Sequence, residues 1–250
     1  MTPPGVGRTE LDERRPATVV LVHGAWHGPW CWRHVVDGLE SAGVRSVAVS
    51  LPSVDPAQEG GLTADAGAVR EAIEGVGGPV VLCGHSYGGT VITEVGDHPA
   101  VRHLVYLTAF ASDRGETLLS LATSDVARSA HEESLVPAIQ FVDDGKRMAL
   151  DLELAVPLLY AQSPRKDVDL VLAHVASHAA SSFETPTSCV AWRSKPSTYV
   201  VCARDRTLPP ALQRFLAKRC TRTIELDTDH SPFFSMPEET TRILRELANA

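Results

Sequence analysis

The sequence predicts an α/β fold: a doubly wound, mostly parallel sheet carrying an inserted helical lid. Three observations carry that expectation. Short β-branched runs alternate with helical patterns along most of the 250 residues. One such run, Val80-Val81-Leu82-Cys83, leads into Gly84-His85-Ser86-Tyr87-Gly88, and Gly89-Thr90-Val91-Ile92 can continue from there as a helix. From about Ser112 to Ser188 the alternation stops, and helical periodicity persists with no convincing strand.

In chain order, Met1 to Pro16 is rich in Pro, Gly, Arg and Glu. It has no apolar core, so it reads as a loose tail rather than a secretory signal. The first strand is expected at Thr18–Val22, then a helix over Cys31–Ala42 and a strand at Ser46–Val49. A helix over Thr63–Gly75 precedes the strand Val80–Cys83, the helix Gly89–Asp97 and the strand His103–Leu107. In the lid the clearest helical pieces are Ala149–Leu159 and Val168–His178. The alternation resumes with strand Thr198–Cys202, helix Pro210–Lys218, strand Thr223–Leu226 and helix Pro237–Ala248. Residues 17–111 and 189–250 would then form one core, with 112–188 as a cap over the carboxyl ends of its strands. Open α/β sheets bind ligands there.

Bulk composition narrows the function classes. An apolar fraction of 44% is enough for a sizeable core. The net charge of −8, without a basic block, argues against nucleic acid and anionic membranes as partners. No stretch approaches the length of a membrane span. Five scattered cysteines without C-x-x-C spacing, and no export signal, predict reduced thiols and a cytoplasmic protein. There is no dinucleotide fingerprint and no phosphate-binding loop, so no cofactor is expected. His174 and His178 stand one helical turn apart, as zinc ligands can, but no third ligand is evident. The expectation there is an exposed helix face and no metal.

The Gly84–Gly88 stretch carries the chemistry. A serine with glycine two residues away on each side, between strand and helix, is a nucleophile elbow. A serine hydroxyl needs a base, and the base needs an orienting acid, both on loops after later strands. His230, in Asp229-His230-Ser231-Pro232, follows the last strand and is the expected base among ten histidines. Two acids are open on position alone: Asp205, after the strand ending at Cys202, and Asp113, after the strand ending at Leu107. The backbone N–H of Tyr87 is one expected oxyanion donor, and that of Ala25, in Val22-His23-Gly24-Ala25-Trp26, is the other. Gly24 reads either as part of the substrate site or as turn punctuation. Trp26, with Trp30 and Trp32, reads as an apolar acyl pocket or as helix-to-core packing. His23 and His85 read as loop-fixing hydrogen bonders.

With these blocks in order, the chain resembles the α/β-hydrolase fold family from Pro16 to its end. It is most similar to a branch of plant methyl-ester esterases, salicylate-binding esterases and α-hydroxynitrile lyases, with their bacterial relatives. The carrying residues are Val22 through Trp32, Gly84 through Gly89, Asp205 through Gln213, and Asp229 through Pro232. The resemblance implies that Asp205, rather than Asp113, is the acid. The lyases of that branch carry threonine where Gly24 stands and lysine where Ser231 stands, which argues against cyanohydrin cleavage. Plant esterases commonly have an apolar residue at the position of Ser231. The resemblance also allows a homodimer, common in that branch. The expectation is a serine hydrolase cleaving small to medium carboxylic esters through Ser86, His230 and Asp205. The alternatives are a lyase or carbon–carbon-cleaving enzyme on the same residues, or a ligand-binding receptor on this scaffold.

Overall fold

The computed structural model describes residues 16–58, 60–130 and 134–250. All of the expected tail except Pro16 lies outside the described residues. In chain order the strands are β1 (Thr18–Val22), β2 (Ser46–Val49), β3 (Val80–Ser86), β4 (Val101–Ala109), β5 (Ile139–Val142), β6 (Arg147–Leu150), β7 (His178–Ala179), β8 (Ser197–Cys202) and β9 (Arg222–Leu226). Six of them make one sheet in the order β2-β1-β3-β4-β8-β9, with every neighbour parallel.

The four inner strands are largely buried on both faces, and strand periodicity divides their side chains between two cores. Val20, Val22, Leu82, Tyr106 and Val201 point into one cluster. Their chain neighbours Val19, Leu21, Val81, Val105 and Val200 point into the other. Helices α1 (Arg33–Ser41), α2 (Leu62–Val76) and α3 (Gly88–Val95) follow the first three strands. Through Val35 and Leu39, α1 packs on the second core, while Val69 and Ile73 of α2 and Val91 and Ile92 of α3 pack on the first. Helix α2 ends where Gly77 takes φ 64°, a left-handed conformation that suits glycine.

Between β4 and β8 lies the segment expected to form the cap, with α4 (Leu118–Ala122), α5 (Asp125–Ala130), α6 (Leu152–Leu159), α7 (Arg165–His174) and α8 (Ser181–Glu184). It is not purely helical: β5, β6 and β7 form a small antiparallel sheet. The helix expected to start at Ala149 starts at Leu152, N-capped by Asp151, and the residues before it are strand β6. The second expected helix stops at His174, and His178 pairs in β7. His178 is therefore buried rather than on a helix face. The signal that defines the hairpin is Asp143-Asp144-Gly145, whose φ angles of 53°, 52° and 82° turn the chain between β5 and β6. After β8 come α9 (Pro210–Ala217), β9, α10 (Pro232–Ser235) and α11 (Pro237–Ala248). All five cysteines are free.

Candidate active site

Ser86 ends β3 with φ 52°, a left-handed conformation rare for a residue with a side chain. The turn closes because its flanks are glycine. A Cβ on Gly84 would lie 2.4 Å from the Gly88 oxygen, and one on Gly88 would lie 2.6 Å from the Val22 oxygen. Both neighbours are backbone and have nowhere to move. The Ser86 carbonyl is held by the Phe110 N–H at 3.1 Å. Tyr87 is buried, and its hydroxyl donates to Asp65 Oδ2 at 2.6 Å. Asp65, on α2, also accepts from the Ser53 N–H at 2.9 Å. Burial pushes the Asp65 carboxyl above its ordinary range.

Asp205 follows β8 and is buried. Its Oδ1 accepts from the N–H groups of Thr207 (2.7 Å) and Leu208 (2.9 Å). Its Oδ2 accepts from Gln213 Nε2 (3.0 Å), from the Thr108 hydroxyl (2.5 Å) and from His230 Nδ1 (2.7 Å). The carboxylate thus holds the ring of the buried His230 by one nitrogen and leaves Nε2 uncommitted. His85 donates through Nε2 to the His230 carbonyl at 2.8 Å and fixes the loop behind the ring. Asp113 is elsewhere: both its oxygens face Arg193 at 2.7 Å, near the surface.

Ser86 and His230 line one cavity of about 110 Å³, with Ala25 and Tyr87 in the same wall. Among the described residues no hydrogen bond joins the Ser86 hydroxyl to His230. In resting enzymes this contact often tightens only when substrate is bound. The N–H groups of Ala25 and Tyr87 donate to no backbone oxygen among the described residues. The remaining walls are mostly apolar, with Trp26 and Phe110 from the core loops and Leu118, Leu159 and Phe183 from the segment between β4 and β8, and His27, His85, Ser134 and Thr207 add polar groups to them.

Trp26 lines the cavity with φ 64°, and its indole N–H donates to the Met148 carbonyl of β6 at 2.9 Å. Gly24 lies behind the serine, where a Cβ would press on His85 Nδ1 at 2.8 Å and on Ser86 Cβ at 3.0 Å. Trp32 is wholly buried in the second core, and Trp30 stacks on His27 at 5.6 Å. In the sequence Gln213 stands out only as the end of a similar stretch, and Thr108 does not stand out at all. Thr108 acts 97 residues away from Asp205 along the chain, so no local pattern announces it.

Residues 19–243 match the alpha/beta hydrolase family. The chain belongs to that family. It is 30% identical over 251 residues to "Alpha/beta hydrolase nvfD" of Aspergillus novofumigatus, covering 94% of this chain and 97% of that one. It is 26% identical to "Methylesterase 1" of Arabidopsis thaliana, covering 95% of this chain and 98% of the relative. The solved structure of a pyrethroid hydrolase from Sphingobium faniae superposes with a TM-score of 0.81, at 26% identity over 94% of this chain and 98% of that one. Plant methylesterases and bacterial hydrolases thus stand among its relatives, as the sequence resemblance expected. No helix among the described residues is long and apolar enough to cross a membrane.

Proposed function

We propose that this enzyme is a carboxylic ester hydrolase working through Ser86, His230 and Asp205 by way of an acyl-enzyme. The supporting observation is the pairing of His230 Nδ1 with the buried Asp205 on the wall of the cavity that Ser86 enters from a strained elbow. Ser86 Oγ attacks the ester carbonyl while His230 Nε2 takes its proton. Asp205 keeps the ring in one tautomer and stabilises the imidazolium. The N–H groups of Ala25 and Tyr87 hold the oxyanion of the tetrahedral intermediate. His230 then gives the proton to the leaving alcohol, and water attacks the acyl-enzyme by the same route.

A cavity of about 110 Å³ accommodates one short arm of an ester. The other arm leaves past Val136, which lines the cavity yet is 67% exposed. That division favours small to medium esters. The esterase and hydrolase names among the relatives agree with this chemistry. Gly24 supports hydrolysis over the cyanohydrin-lyase reading, because the threonine of those lyases would press here on His85 and Ser86.

A panel of p-nitrophenyl and methyl aryl esters, run on wild type and Ser86→Ala, tests the proposal. We expect hydrolysis of several panel members, and a loss of roughly 10⁴-fold or more in kcat on removing the hydroxyl. Equal turnover by the two proteins would end it.

A further inference from the structure

Ala25, whose N–H is the second oxyanion donor in the proposed mechanism, sits between two buried histidines that no catalytic step uses. His23 Nδ1 lies 2.8 Å from the Gly24 carbonyl, and His27 Nδ1 lies 2.8 Å from the Ala25 carbonyl. The far nitrogen of each ring is also engaged. The Leu51 N–H reaches His23 Nε2 at 3.3 Å, and the Tyr160 hydroxyl reaches His27 Nε2 at 2.7 Å. A carbonyl only accepts and a backbone N–H only donates, so His23 must be protonated at Nδ1 and bare at Nε2. His27 must likewise donate from Nδ1, and Tyr160 then donates to its Nε2.

The peptide plane makes this consequential. C=O and N–H of one trans peptide point in opposite directions. Holding the Gly24 oxygen therefore aims the Ala25 N–H, which belongs to the same plane. Holding the Ala25 oxygen fixes the next plane, just before Trp26 with its φ of 64°. His23 is backed by core backbone, whereas His27 is backed by Tyr160, the residue that ends the cap helix α6.

We propose that His23 and His27 are positioning residues that clamp the two peptide planes of Ala25, and that Tyr160 makes this clamp depend on the docked cap. The inference rests on the oxyanion role assigned above. Cap docking and transition-state stabilisation are then one event: the site is complete only when α6 is seated. Both rings work as neutral groups, and burial holds His23 down at about 4 and His27 at about 3. The same burial pushes the Tyr160 phenol well up, keeping its proton for His27.

The test compares wild type, His27→Leu, His27→Asn and Tyr160→Phe on one p-nitrophenyl ester, with Asp167→Asn as a control. Asp167 ties α7 of the cap to Arg33 and His34 on α1, so its loss loosens the cap elsewhere. Oxyanion donors act in the transition state, so kcat should fall about 10- to 100-fold in His27→Leu and less in Tyr160→Phe, with KM within about threefold. His27→Asn restores a donor to the Ala25 carbonyl and should recover part of that loss. Asp167→Asn should lower the melting temperature and leave kcat in place. Unchanged kcat in His27→Leu and Tyr160→Phe, or the same kcat loss in Asp167→Asn, overturns the clamp. Where His27→Leu fails to fold, Tyr160→Phe decides alone. Where wild type turns over no ester, the hydrolase reading fails separately. The imidazole nitrogen shifts then decide: neutral Nδ1–H rings at both histidines keep the clamp, and an Nε2–H ring at either removes it.

Discussion

Both carboxylate oxygens of Asp205 face donors: two backbone N–H groups on one, and Gln213, Thr108 and His230 on the other. An asparagine there has an NH₂ that must meet one of those sets. Turned toward His230, it offers hydrogens where the ring needs an acceptor, and the ring flips to the tautomer with its proton on Nε2. That tautomer cannot take a proton from Ser86. We expect Asp205→Asn to lower kcat by roughly 10³- to 10⁴-fold. Asp113→Asn, which removes a near-surface ion pair with Arg193, should change kcat by less than about twofold. Steady-state kinetics on one ester check both, and reversed ranks would move the acid to Asp113. Ser86 and His230 were legible in the sequence because each is embedded in a local pattern. Asp205 against Asp113 was not decided by position, since both follow strands of the same sheet. What separates them is the set of donors around each carboxylate, and Thr108 and Gln213 come to Asp205 from β4 and α9.

Among the elements, the segment between β4 and β8 was half legible. Apolar runs near Ala149 and Val168 announced chain that packs, but short apolar runs fit a strand as well as a helix. The pattern Ile139–Val142, Asp143-Asp144-Gly145, Arg147–Leu150 is a hairpin in the structure. That segment is tied to the core at several separate points. The indole of Trp26 donates to Met148, the Ala176 N–H donates to the Trp26 carbonyl at 3.0 Å, and the Gln162 N–H donates to Asp229 at 2.7 Å. Trp26→Phe keeps a ring on the cavity wall and deletes the indole donor. The Met148 carbonyl then loses its partner, at a cost of about 1 kcal/mol. We expect a lower melting temperature and a raised KM, with kcat changing by less than about threefold because the loops that carry Ser86, Asp205 and His230 keep their own bonds. A kcat loss with unchanged KM would mean that Trp26 acts on the transition state instead.

Across the whole molecule, two cores sandwich one sheet, and histidines are sealed around the end of it where Ser86 stands. His23, His27, His85 and His178 are all buried. Burial lowers His23 to about 4 and His27 to about 3, and puts His85 and His178 well below the ordinary 6.5. Below pH 6.5 the unfolded chain binds protons at these rings and the folded chain does not. Stability is therefore fully present above 6.5 and lost as the pH falls toward the folded values, by at most about 1.4 kcal/mol per pH unit for each ring. Asp65 and Asp229, raised by burial, act in the opposite sense from the carboxylate range upward and soften the slope. The melting temperature should fall continuously from pH 6.5 to pH 5, in Ser86→Ala as in wild type. A flat profile over that range would mean the rings are protonated without unfolding the chain. The doubly wound sheet was legible because apolar runs such as β1, β3, β4 and β8, whose side chains alternate between the two cores, are separated by helical patterns. The sealing of the histidines was not, because it depends on residues as distant as Leu51 and Tyr160.

The proposed mechanism requires that the hydroxyl at the elbow becomes covalently acylated during turnover. Rapid quenching of the enzyme with a p-nitrophenyl ester, followed by intact-mass and peptide-mass spectrometry, reads this directly. We expect a burst of p-nitrophenol near one equivalent and an acyl adduct on the peptide carrying Ser86, both lost in Ser86→Ala. An ester turned over at the wild-type rate by Ser86→Ala, or an adduct on any other side chain, would contradict it.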